Sequence, residues 1–381
     1  MSDKVCPLPF HQIYIKPDGR ILPCCYFDVK QSPEDLNVAN PNFINHPFLE
    51  KLRNDMIAGK HHTGCSKCYV PETGDLIPHS YRNESILNHY KSNGKPFAPP
   101  YTAKITGVEI AMSNLCNSRC RMCHPDLSTN WYPDAKALGI PYGRTITINQ
   151  DAFAQIDFSH VVQMKILGGE PLLEQEKLKD ILHKCNRSNL TITIITNLTI
   201  RPDSELVSLL KECKKVTWSC SIDAVGPLND FIRKGSKWSD IEDNLAYFVE
   251  NFKGSNKTNS FVSVRSVVNI YNINCFMNMH TYLKNKYPGM HHIYDMTYGP
   301  QWMELQNLPD PVKQLALERI RSTPQHFALT VIQPQLLRQM MEFTNGNFDN
   351  FKEMDQKLNN LRNETWYDLN PELYSWLKPY L

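Results

Sequence analysis

The sequence has no apolar run of the ~20 residues that a membrane-spanning helix needs. Its most apolar stretches, such as Leu190–Ile200, are short and carry several threonines. It also has little excess of either charge, with Lys+Arg 41 against Asp+Glu 39 and a net charge of +2. That balance argues against a nucleic-acid or anionic-membrane binder, which shows a basic excess. The chain has no internal repeat and no low-complexity tract, and its hydrophobic 41% and charged 21% do not predict long disorder. The opening MSDKVCPLPFHQ lacks the apolar core of a signal peptide, so the expected compartment is the reducing cytoplasm. There, twelve cysteines are poorly explained as a disulfide framework. Metal, cluster or catalytic roles remain.

At 381 residues the chain is long enough for about two or three domains. Its cysteines are unevenly placed. Five lie in the first 70 residues (Cys6, Cys24, Cys25, Cys65 and Cys68), and three more cluster at Cys116, Cys120 and Cys123. The stretch Lys91–Tyr101, with Gly, Ser and three prolines, reads as a linker. Residues 1–90 are then a cysteine-rich module, 102–299 a main domain and 300–381 a helical C-terminal extension.

The main domain alternates strand candidates rich in Val, Ile and Thr with helical stretches. The strands are Ile105–Ala111, Val161–Leu167, Leu190–Thr196, Lys215–Ile222, Phe261–Asn269 and His291–Tyr298. The helices are Leu172–Asn186, Asp203–Cys213, Trp238–Asn251 and Asn274–Lys286. Parallel crossovers of this kind are right-handed. The expected fold is α/β, a partial (β/α)6 TIM-like barrel, with an open doubly wound sheet as the alternative. Beyond Pro300, the segments Val312–Arg321, Gln333–Thr344 and Phe351–Arg362 read as amphipathic helices that carry no chemistry.

The first strand runs into MSNLCNSRCRMCHP, with cysteines spaced C-x3-C-x2-C. Three thiolates hold three corners of a cubane [4Fe–4S] cluster and leave its fourth iron without a protein ligand, whereas such clusters normally take four cysteines. The loop also lies at the C-terminal end of a strand, where β/α barrels carry their chemistry. Zinc held by the same cysteines and His124 is the alternative.

This loop resembles the signature of the radical S-adenosylmethionine (SAM) superfamily. The resemblance implies that the open iron chelates the amino and carboxylate groups of SAM, and that Met122 takes the place of the aromatic residue usual before the last cysteine. It extends to Gly168, Gly169 and Glu170 at the end of the second strand, where the family holds the SAM amino group. Asn197 ends the third strand. Ser221 and Asp223 end the fourth and correspond to ribose contacts, and Arg233 corresponds to a carboxylate clamp. Val268, beside Asn269, sits where the family contacts adenine. Helix capping for Asp223 and a surface ion pair for Arg233 are the structural alternatives.

In the N-terminal module, Gln12–Lys16 and Ile21–Cys25 flank Asp18-Gly19 and read as a β-hairpin. The hairpin brings Cys6 near Cys24, and Cys65 and Cys68 have chelate spacing. These four form a candidate metal site, for which spacing leaves zinc and an iron–sulfur cluster open. Cys25 points to the other side of a strand from Cys24, and sequence does not decide between them. The module resembles the twitch and SPASM modules of radical SAM enzymes, which implies an auxiliary [4Fe–4S] cluster, although those modules usually follow the barrel. The resemblance as a whole implies hydrogen abstraction from a peptide or small-molecule substrate, with flavodoxin or ferredoxin as the one-electron reductant. The rival reading is a non-catalytic, zinc-stabilised binding or scaffold protein.

Overall fold

The computed structural model describes residues 5–40, 42–69, 72, 80–149, 151, 153, 156–252, 260–297, 299–322 and 346–381. The chain divides into two compact units, Met1–Ser113 with Ile146–Ile194 and Asp203–Lys215, and Asn114–Thr145 with Ile195–Pro202 and Val216–Leu381.

In the first unit the Asp-Gly turn closes the expected hairpin, β1 (Gln12–Ile15) against β2 (Ile21–Leu22), with Tyr14 opposite Leu22. Gly19 takes the turn at φ +85°, a left-handed value that glycine adopts without steric cost. β1 also pairs in parallel with β3 (Gly107–Ala111), which pairs in turn with β4 (Gln163–Leu167), and β4 with β5 (Thr191–Thr196). Register sets Tyr14, Glu109, Lys165 and Thr193 side by side on one face. The alternate residues Ile110, Ile166, Ile192 and Ile194 are fully buried on the other.

Helix α1 (Pro47–Ile57) buries Leu49, Leu52 and Met56, and α2 (Tyr81–Asn93) starts at the cap Ser80, whose oxygen accepts from Asn83 N–H. The segment after α2 is packed, with Phe97 and Tyr101 ring centroids 5.3 and 5.9 Å from Phe10. α3 (Gln175–His183) and α4 (Ser204–Lys211) follow β4 and β5. Asp203 caps α4 through Leu206 N–H at 2.8 Å.

The second unit carries β6 (Lys215–Ser221, from Val216 on), β7 (Phe261–Val268) and β8 (His291–Met296), all parallel neighbours. Its helices are α5 (Pro227–Ile232), α6 (Trp238–Phe252), α7 (Phe276–Lys286), α8 (Asp310–Ser322), α9 (Phe348–Arg362) and α10 (Pro371–Leu377). Trp218 of β6 packs edge-on against Phe248 and Phe252 of α6, at 4.5 and 5.3 Å between centroids.

The protein is thus mixed α/β, with eight strands among the described residues, ordered β2-β1-β3-β4-β5 in the first unit and β6-β7-β8 in the second, and all but β2 parallel to their neighbours wherever the pairing is given. The six strands expected in the main domain are β3–β8. The hairpin signal foretold β1 and β2 but not the parallel partnership of β1 with β3. The expected helix Gln333–Thr344 and Tyr298 lie outside the described residues. No helix among the described residues is long and apolar enough to cross a membrane.

Candidate functional site

The three-cysteine loop belongs wholly to the second unit. It runs beside Ile232–Lys234, with Arg119 N–H donating to Lys234 O at 2.7 Å and Arg121 N–H to Ile232 O at 2.8 Å. Gly235 makes this approach possible. Its φ is +107°, and a Cβ there would lie 2.7 Å from the Asn117 carbonyl oxygen. The loop's carbonyls are satisfied by side chains of the segment that follows. Asn130 Nδ2 donates to Asn117 O (2.8 Å), Ser128 Oγ to Ser118 O (2.6 Å) and Trp131 Nε1 to Cys120 O (2.8 Å). Buried backbone groups require such partners.

Cys120 is buried, and Cys116 and Cys123 are partly so. Burial pushes the Cys123 thiol up, and the neighbouring thiols of Cys120 and Cys116 add to the effect. Burial also raises Cys120, against the opposing influence of the Arg233 guanidinium. The Cys123 thiol thus lies within electrostatic reach of both other thiols of the loop, and the Arg233 cation within reach of Cys120 and Cys123.

Several residues expected at the site gather around this loop. Asn197 is buried, and its Nδ2 donates to Asn117 Oδ1 (2.9 Å) and Ser118 Oγ (3.2 Å) and lies 3.9 Å from Cys116 Sγ. Asp223 is fully buried. One of its oxygens accepts from Val267 N–H at 2.7 Å, and the other from Arg233 Nη1 at 2.8 Å. Asp223 and Arg233 are therefore partners of each other, and Arg233 forms a largely buried pair where a surface one was the alternative. Ser221 and Met122 are half-buried, and Val268 is fully buried.

Gly168, Gly169 and Glu170 belong to the first unit. Gly168 has φ +135°, and a Cβ there would meet Ser113 O at 2.6 Å, so this position excludes a side chain. Glu170 is fully buried and caps the following 3-10 turn, accepting from Leu172 N–H at 3.1 Å.

The first unit also holds the second cysteine group. Cys6, Cys24, Cys65 and Cys68 line one cavity, walled by Leu8, Phe27, Met56 and Tyr69 and by Arg82. Burial pushes Cys6 up to about 12, with Cys65 and Cys68 contributing, and Cys65 also to about 12. Cys25 stands apart, beside Glu109 and Tyr81. Burial and the Glu109 carboxylate push it up to about 12. Arg82 is spent on Glu72, with its Nε donating at 3.0 and 3.1 Å. Among the described residues, no three His, Cys, Asp or Glu side chains are grouped as ligands of one metal ion. A cubane places each thiolate on a different iron, so its donors stand further apart than the about 3.8 Å implied by Zn–S bonds of about 2.3 Å.

Sequence reading missed the partners of Arg121 and Arg119. Arg121 is fully buried against Asp355 and Glu364, and Arg362 against Asp134, which also holds Arg119. An arginine flanked by loop residues carries no sequence mark of burial.

Solved structures to which the chain is similar include native anSMEcpe with bound AdoMet and Cp18Cys peptide, at 20% identity, 52% of each chain and a TM-score of 0.38. Another is SuiB from Streptococcus suis bound to S-adenosylmethionine, at 14% identity, 85% of this chain, 68% of that one and a TM-score of 0.37. A third is the radical S-adenosylmethionine methyltransferase TsrM from Kitasatospora setae with cobalamin and a [4Fe–4S] cluster, at 13% identity, 59% of this chain, 40% of that one and a TM-score of 0.34. The chain spans about half the length of the first of these. No curated protein matches the chain. Residues 110–267, from β3 to β7, match the family described as the Radical SAM superfamily.

Proposed function

We propose that the protein is a radical SAM enzyme acting on a peptide or a small molecule, with its SAM-binding [4Fe–4S] cluster held by Cys116, Cys120 and Cys123. The observation that carries this reading is the three-thiol loop in the matched domain, beside the buried Asp223–Arg233 pair. When bound, such a cluster supplies the electron that cleaves SAM to methionine and a 5′-deoxyadenosyl radical, which takes a hydrogen atom from substrate. The chain's part is placement and exclusion of water.

In this reading Arg233 receives the methionine carboxylate, and Asp223 holds the guanidinium in place while keeping lone pairs for ribose. Ser221 adds a hydroxyl. Met122 and Val268 offer apolar contact to adenine, and Met suits such a surface because its sulfur is polarizable. Asn197 braces the cysteine loop through Asn117 and Ser118. Gly168, Gly169 and Glu170 keep the role in holding the amino group that the resemblance gives them.

Cys6, Cys24, Cys65 and Cys68 are proposed to hold an auxiliary [4Fe–4S] cluster. Four protein ligands leave no open iron, which favours electron transfer and an overall oxidation or crosslinking. The shared cavity supports Cys24 over Cys25 as the ligand. A flavodoxin or ferredoxin in the cytoplasm is the proposed electron source.

Anaerobic reconstitution tests the reading. Brown protein with about seven to eight irons, the content of two cubanes, is expected, together with 5′-deoxyadenosine when SAM and a strong reductant are added. Replacing Cys116, Cys120 and Cys123 by Ala is expected to abolish that product. Colourless protein with two zincs would establish the scaffold reading in its place.

A further inference from the structure

Arg121 lies between the second and third cysteines of the loop, yet its guanidinium is fully buried. Nη1 donates to Tyr271 Oη (3.1 Å) and to Asp355 Oδ1 (3.2 Å). Nη2 donates to Asn359 Oδ1 (2.6 Å) and to Glu364 Oε1 (3.0 Å). The fork lies over the Phe231 ring, 3.7 Å from its centroid. Asp355 is held in turn by Tyr271 Oη–H (2.7 Å) and Trp366 Nε1–H (3.1 Å).

Further tethers run the same way. Arg362 Nη2 donates to the Arg119 carbonyl at 2.9 Å and to Asp134 Oδ2 at 2.7 Å. Lys234, whose carbonyl accepts from the loop, pairs with Glu364 at 2.5 Å. Helix α9 and the residues after it thus grip the loop at Arg119 and Arg121, and grip the segment that runs beside it. A helix that only covered apolar surface would gain nothing from burying two guanidinium–carboxylate pairs, because their desolvation offsets their attraction. What an arginine fork adds is fixed geometry.

We propose that α9 with residues 363–366 is a strap that sets the conformation of the three-cysteine loop, and that Arg121 and Asp355 are positioning residues of the centre this loop forms. The second part of the proposal rests on the radical SAM reading. The strap itself does not.

The test uses the full-length chain as Asp355→Asn, as Arg121→Lys and as the milder Glu364→Gln. Hydrogen–deuterium exchange of residues 115–124 is measured on the metal-free protein. Exchange at least about fivefold faster than in the unsubstituted chain is expected for the first two. In reconstituted protein, the same variants are expected to raise KM for SAM in 5′-deoxyadenosine formation. Leu283→Ala, in the core of α7, is the control. It destabilises the unit but should move neither readout.

Unchanged exchange in Asp355→Asn and Arg121→Lys overturns the strap, as does an equal change in Leu283→Ala. If Asp355→Asn does not fold, Glu364→Gln decides by the same exchange measurement. Faster loop exchange in a protein that never yields 5′-deoxyadenosine keeps the strap and overturns the radical reading. Normal 5′-deoxyadenosine formation with unaltered exchange does the reverse.

Discussion

Cys24 and Cys25 are neighbours in the chain with different surroundings. Cys24 lines the cavity with Cys6, Cys65 and Cys68, and Cys25 faces Glu109 and Tyr81. Cys24→Ala is therefore expected to lower the iron of reconstituted protein by about four atoms, one cubane. Cys25→Ala should leave it unchanged, and iron analysis of the two variants is the check. A second residue prediction concerns His292. Its Nε2 lies 2.7 Å from Ser266 Oγ, and its Nδ1 lies 3.2 Å from His280 Nδ1 and 3.0 Å from Tyr294 Oη. Burial and the His280 ring lower its pKa to about 3. The folded chain keeps His292 neutral, whereas the unfolded chain binds a proton below about pH 6.5. Stability is thus fully present above that pH and falls as pH drops toward 3, by at most about 1.4 kcal/mol per unit. Denaturant midpoints at pH 7 and pH 5 should show the loss, and His292→Gln should remove this contribution to the slope.

At the scale of elements, the strands β3–β8 and the helices α3, α4, α6 and α7 were legible because each has its own hydrophobic period, whereas the short α5 was not foreseen. The observed bounds of β5, Thr191–Thr196, differ from the expected Leu190–Thr196 by a single residue. Asp203, the first residue of the expected helix, is the N-cap of α4. Asp203→Ala should cost about 1 kcal/mol, read as a lower thermal midpoint, with iron content unaffected. The contact between the Ile232–Lys234 segment and the cysteine loop was not legible. It depends on Gly235, whose need for a positive φ no local pattern announces. Gly235→Ala meets both a strained backbone and a carbonyl oxygen at 2.7 Å. It should destabilise the second unit by about 1–3 kcal/mol and lower iron retention, as followed by denaturant unfolding and iron analysis.

For the whole molecule, the α/β class followed from the alternation of strands and helices, whereas that alternation left the order of a barrel and that of a doubly wound sheet both open. Long-range partners did not follow. β1 pairs with β3, some 95 residues further on, and a hairpin signal speaks only of the nearest strand. The ionic grip of α9 was hidden in the same way. An amphipathic period reveals which face of a helix is apolar, not that Asp355 and Arg362 are both buried. The two cysteine groups lie in different compact units. Each should therefore be emptied of iron without the other. Replacing Cys116, Cys120 and Cys123 by Ala is expected to leave about four irons, with the ultraviolet–visible band of the remaining cluster intact.

The bond from Arg121 to Asp355 spans 234 positions of sequence. At a synthesis rate of about 5–20 residues per second, the cysteine-bearing loop leaves the ribosome on the order of tens of seconds before its clamp is made. Throughout that interval the nascent loop is open to whatever delivers iron and sulfide, and the proposed strap, translated long after the loop, closes over it only afterwards.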